Sequence, residues 1–210
     1  MEYEVRYYYS SKEYDNFVNL LSSIKDLKKH DKRYEKTIQY NHPSKEYDFY
    51  SDKVDGRFRI RKTKDKNFET VMISFKKRLN NTFSSDVNCE EEVELTIKPI
   101  EYDNLIYIIE KVLHMKLVES YERYRTVFDN QYVTISLDLY PFGLALEIEC
   151  NKEYNEEADE IINKYTSVLN LDKNNKYRLS WDDKYEELCR EQGKEIYKDV
   201  SFDKDMPNIK

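Results

Sequence analysis

Charged residues at every second position are the feature of this chain that most limits its fold. Successive side chains of a β-strand point to opposite faces, so residues two apart share a face. The residues between the charges are often apolar, as Val5 and Phe58 are. Six stretches follow this pattern: Glu2, Glu4 and Arg6; Arg57, Arg59 and Arg61; Lys76 and Arg78; Glu90, Glu92 and Glu94; Arg123 and Arg125; Glu147 and Glu149. Each predicts a strand with one hydrophobic and one charged face.

The charged faces separate by sign, and this argues against an ordinary half-exposed sheet. Glutamates dominate three of the six stretches, and basic residues dominate the other three. A solvated polar face is the usual interpretation of one such strand, but solvated faces would mix both signs. Like charges on neighbouring strands repel, and removing unpaired charge from water is costly. Such an arrangement is favourable once a cation and a phosphate chain fill it, so it indicates a functional site.

The two signs together suggest a chemistry. Cations suit phosphate oxygens, and carboxylates suit Mg²⁺ or Mn²⁺. If the strands close with their charges inside and covering helices outside, they form a tunnel lined with both. The pattern therefore predicts a metal-dependent enzyme that acts on a polyphosphate. The competing interpretation is a solvated β-sheet interaction domain, in which the glutamates are dispensable.

Composition limits the size and the setting of the protein. The 210 residues fit one domain, and three Gly and four Pro leave little room for a flexible linker. A net charge of −7 argues against a non-specific nucleic-acid coat. Cys89, Cys150 and Cys189 lack metal-ligand spacing and are interpreted as free thiols in a reducing compartment. The sequence shows neither a signal peptide nor an apolar run of transmembrane length. We therefore expect a protein that works in the cytoplasm, either of its own cell or of a host cell.

Periodicity predicts mostly antiparallel strands with a few external helices. Strands are expected near 2–9, 32–40, 45–51, 56–63, 69–79, 90–98, 117–128, 131–140 and 144–150, and helices near 12–29, 101–115, 154–169 and 181–192. The predicted fold class is α+β: a closed antiparallel β-barrel of about eight strands with flanking helices. A single tunnel domain is expected over 1–198, with a helical part over 153–198, and the tail 199–210 is expected to fray.

The same stretches, in this order, resemble the CYTH family of triphosphate tunnel metalloenzymes. Residues 2–6 are similar to the family's opening Glu-x-Glu-x-Lys, with Arg6 in place of the lysine. Further stretches are similar to later elements of the family and follow in the same order at about the same spacing. They are an Arg-x-Arg strand at 55–61, a lysine strand at 73–78, a glutamate strand at 90–94, a second basic strand at 122–125, its hairpin partner ending at 137–138, and 142–143 before a Glu-x-Glu at 147–149. The resemblance covers 2–150, and the tyrosine-containing helix near 180–188 also resembles one that often follows in the family. It implies a tunnel fold and triphosphate chemistry.

The resemblance also implies roles for the acidic residues. Glu2, Glu4, Glu147 and Glu149 would bind Mg²⁺ or Mn²⁺, directly or through water. Two further glutamates and one aspartate have alternative roles. Glu92 and Glu94 would orient basic residues or bind a second metal, and Asp138 would be a further metal ligand or support one.

The basic residues would hold the phosphates and neutralise charge as the terminal bond breaks. The set consists of Arg59, Arg61, Lys76, Arg123 and Arg125, with Arg57 at the rim and Arg78 at a tunnel mouth. Arg6 would contact phosphate or support the catalytic water, and with Glu4 and Glu149 it forms the predicted catalytic group. The chemistry expected is in-line attack by metal-activated water on the γ-phosphorus.

Three functions stay open at this point. The first is hydrolysis of the terminal phosphate of a small-molecule triphosphate or of an RNA 5′ end. Inorganic, nucleoside and thiamine triphosphates are the candidate small molecules. The second is an adenylate cyclase that releases pyrophosphate, which needs an adenine pocket; Trp181 could stack a base, although a core role suits it better. The third is a module that captures triphosphates without turnover. A homodimer is compatible with the resemblance, and no membrane partner is expected.

Overall fold

The structure, a computed structural model, describes residues 2–51, 54–78 and 88–210, with the backbone alone at 2, 78, 88–90, 152–153 and 155. The described strands are β1 (Glu2–Tyr9), β2 (Lys28–Lys29), β3 (Arg33–Asn41), β4 (Tyr50–Ser51), β5 (Val54–Lys64), β6 (Glu69–Arg78), β7 (Asn88–Ile97), β8 (Lys116–Asp129), β9 (Val133–Tyr140), β10 (Gly143–Cys150) and β11 (Asp199–Val200). The α-helices described are α1 (Tyr14–Ser23), α2 (Tyr102–Tyr107), α3 (Ala158–Val168) and α4 (Trp181–Gln192).

The eight long strands form one curled antiparallel sheet. Their order is β8-β3-β5-β6-β7-β1-β10-β9, and the second half of β8 also pairs with β9 over six residue pairs. The charged faces of β1, β5, β6, β8 and β10 point to the inside of the curl. The apolar face points outward, where the helices cover part of it. These observations confirm the α+β class and the predicted alternation of faces.

The predicted closed barrel is confirmed in part. A barrel closes only if neighbouring strands pair at every junction, and each neighbouring pair in this order has a described ladder, with β8 and β9 joining the two ends. The described ladder between β7 and β1 is the shortest, with three residue pairs, and it stops at Asn88, where the described part of β7 begins. Alternation identifies the inward face of a strand, but it carries no information on how far two strands run together.

Three clusters form the core. In the first, the outer faces of β1, β9 and β10 pack against α1 and α3, with Val5, Ile135 and Leu21 fully or almost fully buried. In the second, β3, β5 and β6 pack against α2. The third is aromatic: it places Trp181 and Tyr185 of α4 against β8 and β9 at one end of the inner face.

The C-terminal segment is docked and not frayed, which corrects the predicted tail. Val200 and Met206 are buried, and β11 pairs in parallel with β8. The Ile209 amide donates a hydrogen bond of 3.0 Å to the carbonyl of Phe142. A segment anchored by a few separated apolar residues has no periodicity, so the sequence pattern did not indicate its packing.

Three other elements are shorter than predicted. The α-helix expected over 101–115 is limited to Tyr102–Tyr107, with a π-helix over Ile108–Val112. α1 ends at Ser23, and the strand expected over 45–51 is limited to Tyr50–Ser51. In the described part of the chain, Cys150 and Cys189 are buried free thiols, and the side chain of Cys89 lies outside the described set. None of the described helices is long and apolar enough to cross a membrane.

Candidate triphosphate site

The charged faces converge on a polar cavity inside the curled sheet. Ten of the predicted site residues line it: Glu4, Arg6, Arg57, Arg59, Arg61, Lys76, Arg123, Arg125, Glu147 and Glu149. They come from β1, β5, β6, β8 and β10, which are distant in sequence and adjacent in the curled sheet. The structure thus brings most of the predicted set together. Glu2, Arg78 and their contacts lie outside the described side chains.

A chain of ion pairs of alternating sign crosses the cavity wall. Arg6 donates to Glu147 at 2.6 Å and to Glu4 at 3.1 Å. Glu147 also accepts a 3.0 Å hydrogen bond from Arg125, whose other donors reach Asp138. Each of these charges therefore has an opposite charge beside it, which makes their removal from water tolerable.

A second part of the network is fully buried. Arg123 donates to one oxygen of Glu35 at 2.7 and 2.8 Å and to Asp138 at 2.8 Å. Its remaining recorded partner is the Tyr140 hydroxyl at 3.2 Å, and Glu35 also accepts from Arg33 at 2.8 Å. Arg123 thus has most of its donors engaged within the protein, so its main contribution is to fix the wall of the cavity.

Asp138 supports arginines and does not face the cavity. Its side chain is fully buried, and its two oxygens accept from Arg123 and Arg125. A carboxylate with both oxygens occupied by guanidinium groups is a poor metal ligand. Of its two predicted roles, the contacts favour the supporting one.

Neighbouring arginines set the protonation of the buried glutamates. Burial alone would raise the pKa of Glu147, but Arg6 and Arg125 outweigh it and hold the pKa well below its usual range. The same holds for Glu35, whose pKa Arg123 lowers against the effect of burial. Both residues are therefore carboxylates across the whole physiological range.

The carboxylates nearest to a metal-binding arrangement are Glu4 and Glu149. They are directly opposed in the β1–β10 ladder and both line the cavity. Burial, together with Glu147 and Glu92, raises the pKa of Glu149. Among the described side chains, which exclude Glu2, no group of three or more Asp, Glu, His or Cys residues is arranged to hold a metal ion.

Glu92 and Glu94 pair with basic residues of the neighbouring strands. Lys76 contacts Glu92 at 2.9 Å, and Arg61 contacts Glu94 at 3.5 Å. Burial and the nearby Glu92 raise the pKa of Glu94. Of the two roles predicted for these glutamates, the contacts favour the orientation of basic residues over a second metal.

Polar side chains contact the guanidinium groups of two arginines of β5. Arg57 contacts Asp55 at 2.9 Å, and Arg59 donates to the side-chain oxygen of Gln39 at 2.9 Å. Arg57 is only 6% exposed. It is thus a buried residue of the cavity wall and not at the exposed rim that the sequence predicted.

The start of α4 covers one end of the cavity. Arg6 donates to the carbonyl of Leu179 at 3.2 Å, and Ser180 and Trp181 line the cavity. The Trp181 ring lies 4.3 Å from that of Tyr121 and stacks on Tyr140 at 6.2 Å. Trp181 therefore has a packing role, which agrees with the core role that the sequence favoured over stacking on a base.

Two carboxyl groups at this end differ in protonation. Burial and the nearby Asp182 raise the pKa of Glu119 to about 8, against the opposing effect of Arg59 and Arg57. Asp182 accepts a 2.9 Å hydrogen bond from Tyr50 and a short one from Ser180. These hydrogen bonds and the two arginines lower its pKa despite burial. Near neutral pH, Glu119 is mainly protonated and Asp182 is ionised.

Four polar residues on β3, β8 and α4 that contact or neighbour the cavity arginines were not among the predicted site residues. They are Glu35, Gln39, Glu119 and Asp182. Glu35 and Gln39 share a face with Thr37 in a strand that was predicted, and Glu119 precedes Tyr121 and Arg123 by the same period of two. That signal was present but was weaker, because charges of both signs and neutral residues alternate on these faces. Glu35 lies between Arg33 and Thr37, and Glu119 is followed by Tyr121 and Arg123.

Comparison with known proteins agrees with this geometry. A family model of the CYTH domain matches residues 1–184. The chain therefore belongs to the CYTH domain family, which confirms the resemblance seen in the sequence. None of the curated protein sequences matches it significantly.

Solved structures share the fold at low sequence identity. A Pyrococcus horikoshii OT3 protein is 24% identical, with 91% of this chain and 99% of that chain covered and a TM-score of 0.64. A candidate adenylate cyclase from Vibrio parahaemolyticus is 14% identical, with 86% and 96% covered and a TM-score of 0.64. A candidate adenylyl cyclase from Hippeastrum with a dominant triphosphatase activity is 15% identical, with 93% and 98% covered and a TM-score of 0.61.

Proposed function

We propose that this protein is a divalent-metal-dependent triphosphatase that releases the terminal phosphate of a triphosphate. The observation that carries the proposal is the composition of the polar cavity: six cations besides Arg6 face the same space as Glu4, Glu147 and Glu149. A triphosphate chain carries several negative charges within a few ångströms, and a row of cations from several strands matches it. A site for a neutral substrate has no use for such a row.

The cations would divide the work between binding and support. Arg59, Arg61, Lys76 and Arg125 line the cavity from three strands, so they can contact several phosphates at once. Fixed positive charge around the phosphate oxygens stabilises the charge that develops as the terminal bond breaks. Arg123 would act mainly by holding Glu35 and Asp138, and thereby Arg125, in place.

Glu4 and Glu149 fit a hard divalent cation such as Mg²⁺ or Mn²⁺. Mg²⁺ sites commonly use one or two carboxylates, with substrate phosphate and water completing the shell, and these two glutamates are opposed across one ladder. The cation would neutralise phosphate charge and make water a better nucleophile. Arg6, bonded to both Glu4 and Glu147, would keep the carboxylates oriented.

The structural neighbours suggest one competing reaction. The Hippeastrum protein has a dominant triphosphatase activity, and both it and the Vibrio protein are candidate cyclases. A cyclase would use the same cations but would release pyrophosphate and cyclic AMP from ATP. It also needs a base pocket, and Trp181, the aromatic residue at the covered end, is engaged by Tyr121 and Tyr140.

A product-identity assay tests the proposal. The protein is incubated with Mg²⁺ or Mn²⁺ and inorganic triphosphate, ATP, thiamine triphosphate or a 5′-triphosphorylated RNA. We expect orthophosphate, and the fastest substrate identifies the class. Pyrophosphate with cyclic AMP from ATP would show a cyclase. Tight binding of triphosphate without any product would show a capture module.

A further inference from the structure

Strand β7 leaves one edge of the sheet open beyond the start of β1. Residues 92–97 pair with residues 71–76 of β6 on one side. On the other side, the described ladder with β1 ends where Glu90 meets Glu2, and no other described strand pairs with 92–97. The backbone N–H and C=O groups along an open edge are a template for a further strand. The described part of the chain therefore has a place where another extended segment can add to the sheet.

Two apolar side chains beside this edge face outward and are exposed. Glu92 and Glu94 point inward, where they contact cations of the cavity wall. Val93 and Leu95 alternate with them and therefore face outward. Val93 is 63% exposed and Leu95 is 58% exposed. An apolar strip in contact with water next to an open edge indicates a surface that an assembly covers.

The edge lacks the features that usually prevent strands from pairing. Proline, bulges and very short strands protect exposed edges in other proteins. None of residues 92–98 is proline, and the register of β7 with β6 runs without a shift. Pro99 then ends the strand, because it has no N–H and begins a 3₁₀ turn. The open edge therefore offers residues 92–98 for pairing.

The apolar side chains fit a second copy of the same strand. Identical strands can pair antiparallel about a two-fold axis, and the position of the axis fixes which residues are opposed. With the axis at Leu95, that residue lies opposite its own copy, and Val93 lies opposite Ile97 of the second copy. The apolar strips of the two copies then meet as one surface. An axis at Thr96 would instead place Val93 opposite Pro99, which cannot donate a ladder hydrogen bond.

The charges also select the axis at Leu95. It places Glu92 opposite Lys98 of the second copy, which is a pair of opposite charge. An axis at Glu94 would place that carboxylate opposite itself, and an axis at Val93 would place Glu92 opposite Glu94. Like charges directly opposed on neighbouring strands are destabilising, whereas opposite charges are favourable. Side-chain type and charge therefore agree on one register.

We propose that β7 pairs antiparallel with β7 of a second copy of this chain, about a two-fold axis at Leu95. The inference is independent of the proposed triphosphatase function, because it depends on the edge of the sheet and not on turnover. About seven residues of each copy take part, which is little for a permanent interface. We therefore expect a reversible dimer with a Kd of roughly 10 µM.

Sedimentation velocity of the full chain tests the dimer. From about 1 to 100 µM, the wild type should shift from monomer to dimer. Leu95→Lys places two cations opposite each other at the axis and should raise Kd at least about tenfold. The matched control is Leu117→Lys, at a 45% exposed leucine of β8, three strands away from β7. A wild type that stays monomeric at about 100 µM, or an equal effect of the two variants, would overturn the proposal.

Disulfide capture tests the register, and it does not depend on the folding of a lysine variant. With copper–phenanthroline as oxidant, Leu95→Cys should yield a covalent dimer above the background of the wild type, because position 95 lies opposite itself. Val93→Cys is the control. In the proposed register its two copies are offset by four residues, about 13 Å along the strands, which a disulfide cannot span. A Val93→Cys yield equal to or above that of Leu95→Cys would contradict the register.

Discussion

Single residues in this cavity differ chiefly in whether their charge is already matched within the protein. Asp138 and Glu35 are fully buried and act on arginines. Glu4 and Glu149 line the cavity, where a cation can reach them. Because the four share one residue class and one alternating pattern, their roles separate only through burial and partners.

Removal of a cavity carboxylate should stop catalysis and spare the fold. We expect Glu4→Gln and Glu149→Gln each to lower metal-dependent turnover at least roughly 100-fold, with triphosphate binding in metal-free buffer retained. Steady-state kinetics and calorimetry on the same samples measure both effects. Wild-type turnover in the two variants would show that the carboxylates do not serve the metal.

Loss of the Asp138 charge should instead lower the stability of the folded protein. Asp138→Asn leaves Arg123 and Arg125 buried with less compensating charge, and the expected loss is about 3 kcal/mol or more in the free energy of unfolding. Urea unfolding measures it. Glu186→Gln, which breaks the exposed pair with Arg190, is the control, with an expected change below about 1 kcal/mol. Similar small changes in both would contradict the network as a stabilising element.

Glu119 should make stability depend on pH. Its pKa is raised to about 8 in the folded state, so the folded protein binds more protons than the unfolded chain above the usual carboxyl range. The contribution of Glu119 to stability is therefore complete at acid pH and is lost as pH rises through about 8. We expect Glu119→Gln to flatten this decline, measured as Tm from pH 5 to 9. Parallel curves for variant and wild type would contradict the raised pKa.

At the scale of elements, α4 and the C-terminal segment together form one end of the site. α4 begins at the cavity with Trp181, and the segment that follows returns to pack Met206 into the same aromatic cluster. A capping box of Ser180 and Asp183 fixes where α4 starts. The position of Trp181 therefore depends on contacts made by residues far from the cavity.

Weakening this packing should affect the site as well as stability. Met206→Ala removes a buried side chain and should lower the free energy of unfolding by about 2 kcal/mol or more, with a smaller loss of triphosphate affinity. Denaturant unfolding and calorimetry measure the two. Ile196→Ala, at a 45% exposed position, is the control. An unchanged stability in Met206→Ala would mean that the segment is not an integral part of the fold.

At the scale of the whole molecule, the curled sheet concentrates like charges that a substrate would neutralise. The cavity holds several arginines, so binding of a polyanion should stabilise the folded state. At 100 times Kd the expected gain is about 2.7 kcal/mol.

Thermal unfolding in metal-free buffer tests this expectation. Inorganic triphosphate should raise Tm above that in sodium chloride of equal ionic strength. An identical Tm in the two salts would contradict a cavity that binds triphosphate.

The sequence predicted much of this architecture through purely local patterns. The positions of the long strands and of α4 agree with the structure to within a few residues, and ten predicted residues line one cavity. The ends of α1, the brevity of β4 and the docked tail did not follow from local pattern. These features depend on which surfaces meet, and periodicity does not carry that information.

The sequence by itself determined which side chains share a face, and hence that rows of cations and carboxylates would point inward. Only the tertiary structure decided which of these charges meet. The pairing of Asp138 with two arginines, and the row of Glu119, Gln39 and Arg59, depend on register between strands far apart in sequence. The physical reason is that alternation is set within one strand, whereas register and curl are set by the packing of all of them.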